Sequence, residues 1–150
     1  MDDKLLKVYT DGGARGNPGP GACAFVVMSE GKVKFKNSKY LGKRTNNEAE
    51  YEALIFALEW IFQISEQEKP LKINFYLDSE LVVKQVNGLY RVKDLDLQKL
   101  FSKVRDLNNK LSGEISYFSI AREKNRLADR MVNDVLDEKM GGFTSEEIVK

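Results

Sequence analysis

The period of apolar and polar positions changes along the chain, and each change marks an element. Residues 4–10 (Lys4-Leu5-Leu6-Lys7-Val8-Tyr9-Thr10) and 22–28 are short runs rich in apolar, branched and aromatic residues, which predicts two strands. Between them, residues 11–21 hold five of the eleven glycines and two of the three prolines, which predicts a loop. Glu30-Gly31 marks a turn. From 32 to 41, Lys32, Lys34 and Lys36 alternate with Val33 and Phe35, as in a half-exposed strand whose lysines guard a sheet edge. Thr45-Asn46-Asn47-Glu48 has the form of a capping box, with Thr45 as N-cap and Glu48 reaching back, and it opens a long helix to about Glu66. Trp60 and Phe62 fall in mid-helix, where core packing is expected.

Pro70 separates this helix from a strand over 71–77. Asp78 and Ser79 end the strand and start a short helix through Val86, which Asn87-Gly88 breaks. A third helix is expected over 95–111, stopped by Ser112-Gly113, then a strand over 114–120 and a last helix over 124–140, closed by Gly141-Gly142. The order β-β-β-α-β-α-α-β-α is that of an α/β fold: a mixed sheet with helices packed on it.

A length of 150 residues suits one domain, expected over 1–142, with a short C-terminal tail over 143–150. The 42% hydrophobic and 31% charged residues are those of a globular protein. The single cysteine, Cys23, sits in an apolar run; it reads as a small buried residue and suits a reducing cytoplasm. The start Met1-Asp2-Asp3-Lys4 has no apolar segment of the signal-peptide kind, and no run is long enough to span a bilayer, so no membrane association is expected.

Histidine is absent, which removes Ser-His-Asp and Cys-His catalysis and imidazole metal ligands. A net charge of +1 leaves any nucleic-acid face to a local patch. Lys32, Lys34, Lys36, Lys39, Lys43 and Arg44 are the candidate, with no acid between Gly31 and Asn47, although a solvated edge strand accounts for them slightly better.

Four acids occupy unusual places. Asp11 follows a strand and opens the glycine-rich stretch, either as a turn aspartate or beside backbone that Gly12 and Gly13 leave bare to another molecule. Asp78 closes an apolar strand, as a helix N-cap or at a strand end of the kind where α/β folds place ligands. Glu48, Glu52 and Glu59 share a polar stripe, whereas Glu50 shares its side with Ala53, Leu54, Ala57 and Ile61. A first-turn glutamate favoured by the helix dipole is one explanation, and a buried partner is another. Asp129 lies beside Ala128, one turn before Val132, where a solvated flank would also suit it. Taken together, the four suggest one oxygen-only site for Mg2+ or Mn2+, because crowded carboxylates repel one another until a cation joins them.

These residues carry a resemblance to type 1 ribonuclease H. Tyr9-Thr10-Asp11-Gly12-Gly13-Ala14-Arg15-Gly16-Asn17-Pro18-Gly19-Pro20-Gly21 resembles the family's first motif and Thr45-Asn46-Asn47-Glu48-Ala49-Glu50 its second. Asp78-Ser79 resembles the third, and Asn125-Arg126-Leu127-Ala128-Asp129 the fourth. The resemblance implies a five-stranded mixed sheet in the order 3-2-1-4-5. It implies two Mg2+ ions, replaceable by Mn2+, held by Asp11, Glu50, Asp78 and Asp129. One ion would activate a water and the other would stabilise the leaving 3′ oxygen. The implied activity is hydrolysis of the RNA strand of RNA–DNA hybrids, leaving 5′-phosphate and 3′-hydroxyl ends, by a cytoplasmic monomer. Gly12, Gly13, Asn17, Asn46, Asn47 and Ser79 would contact the RNA strand and Thr45 a DNA phosphate.

Two departures accompany the resemblance. The loop Ile120-Ala121-Arg122-Glu123-Lys124 has no histidine and resembles a subgroup with arginine there. Only Asn87 to Asp94, with Arg91 and Lys93, stands where some members carry a long basic extension. An inactive ribonuclease-H-like adaptor would have lost an acid, and here all four remain. A junction resolvase or proofreading exonuclease would have other motif spacings. A phosphate-binding loop would end in Gly-Lys-Ser/Thr and open a helix, and the glycine-rich stretch does neither.

Overall fold

The computed structural model describes residues 5–65, 72–111 and 113–141. The expected helix end at Glu66, the breaks at Pro70, Ser112 and Gly142, the strand start at Leu71, Lys4 and the tail over 143–150 lie outside the described residues. Five strands, β1 (Leu5–Ala14), β2 (Gly19–Ser29), β3 (Lys32–Arg44), β4 (Lys72–Leu77) and β5 (Glu114–Ser119), form one sheet in the order β3-β2-β1-β4-β5. The β1–β2 and β2–β3 pairs are antiparallel; β1–β4 and β4–β5 are parallel. The helices are α1 (Asn46–Ile64), α2 (Glu80–Val86), α3 (Leu95–Lys110) and α4 (Arg126–Lys139). The element order and sheet order agree with expectation.

The two faces of the sheet carry different cores. Leu6, Val8, Phe25, Val27, Ile73 and Phe75 pack with α1 residues Tyr51, Leu54, Leu58 and Ile61 and with Leu97 and Val104 of α3. Ala22 and Ala24, which alternate with Phe25 and Val27, pack separately against Val132 and Leu136 of α4. Because the sheet and α3 both cover α1, the buried set of this helix is wider than one stripe. Cys23 is fully buried, and burial pushes its thiol up to about 12, so it is an inert core residue.

Several expectations are corrected. Residues 11–21 are not a loop. Asp11 pairs with Ala24, and pairing continues to Ala14 with Gly21, so both strands run on and only residues 15–18 turn. Small residues read as a loop because composition cannot reveal ladder hydrogen bonds. β3 extends to Arg44, three residues further than expected, helped by register shifts at Gly21/Ala22 and Val27/Met28. Val33 is exposed, whereas Phe35 stacks on Trp60 with centroids 4.7 Å apart. Phe62 is 38% exposed and not a core residue, although Trp60 packs as expected. The last helix begins at Arg126, because residues 122–124 form a separate 3-10 turn.

Candidate active site

The β1–β4 register places two acids side by side. Thr10 is opposite Leu77 in a parallel pair, so the next residues, Asp11 and Asp78, leave neighbouring strands together. β4 ends there, while β1 continues along β2. Ser79, not Asp78, caps α2: its hydroxyl accepts from the Val82 amide at 3.3 Å. The cap therefore leaves the Asp78 carboxylate unused, and Asp78 Oδ2 is buried with no hydrogen-bond partner.

Glu50 arrives from α1. The capping box is complete: Thr45 Oγ1 accepts from the Glu48 amide at 3.1 Å, and Glu48 Oε1 accepts from the Thr45 amide at 2.8 Å. That occupies Glu48 at the helix start and leaves Glu50, two residues on, turned to the sheet. The Gly12 amide donates to Glu50 Oε1 at 3.1 Å. A Cβ on Gly12 would sit 2.1 Å from the Ala49 carbonyl oxygen, so only glycine lets α1 approach β1 this closely. The bareness expected to admit a substrate at Gly12 is filled by the protein's own helix; Gly13 is the open one, with no atom closer than 3.9 Å to such a Cβ.

One carboxylate oxygen from each of Asp11, Glu50 and Asp78 lies within 4.8 Å of the others. Asp129, in the first turn of α4, stands outside this three-acid group but lines the same cleft as Asp11 and lies near enough to raise its carboxyl. Burial first, then the charges of Asp78 and Asp129, push the Asp11 carboxyl up from 3.8 to about 8. Burial, then the charges of Asp11 and Asp78, raise Glu50 well above the usual carboxylate range. Oxygen-only donors, an orphaned buried oxygen and acids that resist ionising together all fit a hard divalent cation, whose charge would relieve the repulsion.

Beside Asp11, Glu50 and Asp129 is a cleft of about 260 Å3, lined also by Gly13 and Asn46, and Asp78 is not among its lining residues. Its rim is braced reciprocally: the Ala14 amide donates to Asn46 Oδ1 at 2.9 Å, and the Asn46 amide to Asn17 Oδ1 at 2.9 Å. Gly12 also lines the cleft; Asn17, Thr45, Asn47 and Ser79 do not. Three further residues went unassigned in the sequence. Arg15 and Arg122 line the cleft, and Asn125 is buried, its Nδ2 donating to the Thr10 carbonyl at 2.8 Å. The sequence signals were Arg15's place in the first motif, Arg122's place in the loop that lacks a histidine, and Asn125's place at the start of the fourth motif.

Carboxylates clustered at the ends of neighbouring strands in a mixed sheet are a donor set of the kind that two-metal sites use. A family model described as reverse transcriptase-like matches residues 9–135. Ribonuclease HI of Halobacterium salinarum is 37% identical over 136 residues, 89% of this chain and 65% of the relative. A bifunctional protein of Mycobacterium tuberculosis is 36% identical over 132 residues, 87% of this chain and 35% of the relative. The chain thus spans about a third of some of the curated relatives it matches. Among solved structures, LC11 ribonuclease H1 in complex with RNA/DNA hybrid superposes with a TM-score of 0.86 at 39% identity, covering 90% of this chain and 99% of that one. The Halobacterium salinarum ribonuclease H1 gives 0.81 at 35% identity, covering 89% and 98%. The chain belongs to the type 1 ribonuclease H family.

Proposed function

We propose that the protein is an endoribonuclease that hydrolyses the RNA strand of RNA–DNA hybrids, leaving 5′-phosphate and 3′-hydroxyl ends. The observation that carries this reading is the convergence of Asp11, Glu50 and Asp78 within 4.8 Å, with Asp78 Oδ2 unpartnered. Asp11, Glu50, Asp78 and Asp129 are the residues that would hold two Mg2+ ions, with Mn2+ able to substitute. Such ions, when bound, supply the charge that activates an attacking water and stabilises a leaving oxygen.

The chain's own contributions follow from its geometry. The Gly12 amide fixes the rotamer of Glu50, and the Asn125 side chain fixes β1 at Thr10, next to Asp11. Without a cation, burial and mutual repulsion favour a proton on Asp11, so cation binding near neutral pH releases protons. Gly13 and Asn46, with Asn17 behind them, would meet the RNA strand, where short amides and bare backbone can reach 2′-hydroxyls in a shallow minor groove, and Gly12 would add only the part of its backbone that lines the cleft beside α1. Asn47, Ser79 and Thr45 complete the proposed contacts, Thr45 at a DNA phosphate. Lys32, Lys34 and Lys36 are exposed on edge strand β3 and could meet phosphates. No helix among the described residues is long and apolar enough to cross a membrane; a cytoplasmic monomer, with residues 1–142 as the catalytic domain and 143–150 as a tail, completes the reading.

The test is incubation with end-labelled RNA–DNA hybrid, double-stranded RNA and duplex DNA, with Mg2+ and with chelator. Mg2+-dependent loss of the RNA strand in the hybrid, with DNA intact, is the expected result. Equal cleavage in excess chelator would refute it.

A further inference from the structure

Asp129 lines the cleft from α4, whose buried core against the sheet is small: Ala22, Ala24, Val132 and Leu136, with Met131 and Val135 partly buried beside them. Two alanines under one helix leave its rotation and slide weakly defined by packing alone. Polar contacts fix it at both ends. At the site end, the Asn125 side chain holds the Thr10 carbonyl, and the Asp129 amide donates to the Asn125 carbonyl at 3.1 Å.

At the far end is Arg15, on the turn between β1 and β2. Its Nη1 lies 2.6 Å from Asp137 Oδ1 and 3.7 Å from Met140 Sδ. Its Nη2 donates to the Asn133 carbonyl and to Asn133 Oδ1, at 3.4 and 3.3 Å. Asn133 Nδ2 in turn donates to the Asp129 carbonyl at 3.1 Å. Asp129, Asn133 and Asp137 are four residues apart and form one line along α4. The guanidinium grips that line in two places with a planar fork, which a lysine could not do.

We propose that Arg15 is a positioning residue for metal binding: by clamping α4 to the β1–β2 turn, it holds the Asp129 carboxylate against Asp11 in the spacing a divalent cation requires. The need is physical. Two carboxylates repel until a cation joins them, so something else must hold α4 in place beforehand. Arg15 sits four residues beyond Asp11 on the same β1–β2 hairpin, so the helix and the strand are tied on both sides of the acid pair. The proposal rests on reading the cluster as a metal site.

Mn2+ binding without nucleic acid, followed by the electron paramagnetic resonance of the free ion, tests the clamp on wild type, Arg15→Gln, Asp137→Ala and the double variant. Arg15→Gln should weaken Mn2+ binding about tenfold, the lower end for partners that orient metal ligands. Asp137→Ala should act in the same direction, and the double variant should bind no more weakly than Arg15→Gln alone, since both remove one clamp. Melting temperatures in chelator should stay within a few degrees of wild type, as exposed ion pairs add little stability. Unchanged Mn2+ affinity in Arg15→Gln overturns the proposal. If the Michaelis constant for hybrid rose at the same time, Arg15 would instead be a phosphate contact. Wild-type protein that bound no Mn2+ would overturn the metal reading itself.

Discussion

In the metal-free protein, Asp11→Asn should be more stable than wild type, and the difference should grow with pH. The folded state holds the Asp11 proton up to about pH 8, whereas the ordinary carboxyl releases it near 3.8. Between those values the folded protein binds more protons than the unfolded chain, so its stability falls as pH rises. The penalty is absent below about 3.8 and complete above about 8. One proton gives a slope of up to about 1.4 kcal/mol per pH unit and a total on the order of 5 kcal/mol. Asparagine keeps the shape and removes the charge. Proton sharing with Glu50 reduces the part that one substitution removes, so the stability gap should widen by about 1 to 4 kcal/mol from pH 5 to pH 8. Urea unfolding of both proteins in chelator at each pH measures this. Saturating Mg2+ should then raise wild-type stability at pH 8 and leave Asp11→Asn nearly unmoved, since a ligand stabilises only the state that binds it. A gap that stays constant across this range would refute the picture of a repulsive, proton-retaining cluster.

Glu48→Ala, which removes the acceptor of the Thr45 amide, should lower stability by about 0.5–2 kcal/mol, as other capping losses do, and leave hybrid cleavage nearly intact. Glu50→Gln should abolish cleavage while the chelator melting temperature holds or rises; the reverse pattern, read from melts and cleavage rates, would misplace the helix. Gly12→Ala should destabilise the protein by roughly 2 kcal/mol or more, because its Cβ meets backbone at 2.1 Å, whereas Gly13→Ala should leave the melting curve unchanged. Replacing Lys32, Lys34 and Lys36 together with glutamine should reduce the salt dependence of hybrid binding, and an unchanged slope would mark β3 as a merely solvated edge.

How much of this was legible in the sequence differs from residue to residue. The capping box and the misplaced acid Glu50 were readable because both are periodic features of one helix, and helical period survives in a single sequence. The extent of β1 and β2 was not readable. Glycine and proline at 12–21 carry the local signature of a loop, and only pairing across the hairpin turns those residues into strand. Phe62 failed for a related reason: period assigns a side of the helix, but exposure depends on where the sheet and α3 end, which the helix sequence does not encode.

Asp11 and Asp78 show why a weak signal in one position can become a strong one in a pair. Each alone had an ordinary explanation, a turn residue in one case and an N-cap in the other. The N-cap explanation is removed by Ser79, whose hydroxyl takes the Val82 amide and leaves Asp78 Oδ2 buried without a partner. The turn explanation is removed by the ladder, which carries Asp11 within β1. With Thr10 opposite Leu77 in parallel register, the two acids must then share one strand-end position, and α1 adds a third carboxylate through a glycine that exists to let it in. Crowding three mutually repelling acids together, two of them buried, costs stability that other packing could have avoided. A fold retains such an arrangement where charge from outside completes it, and this links the sequence pattern of isolated acids to metal chemistry.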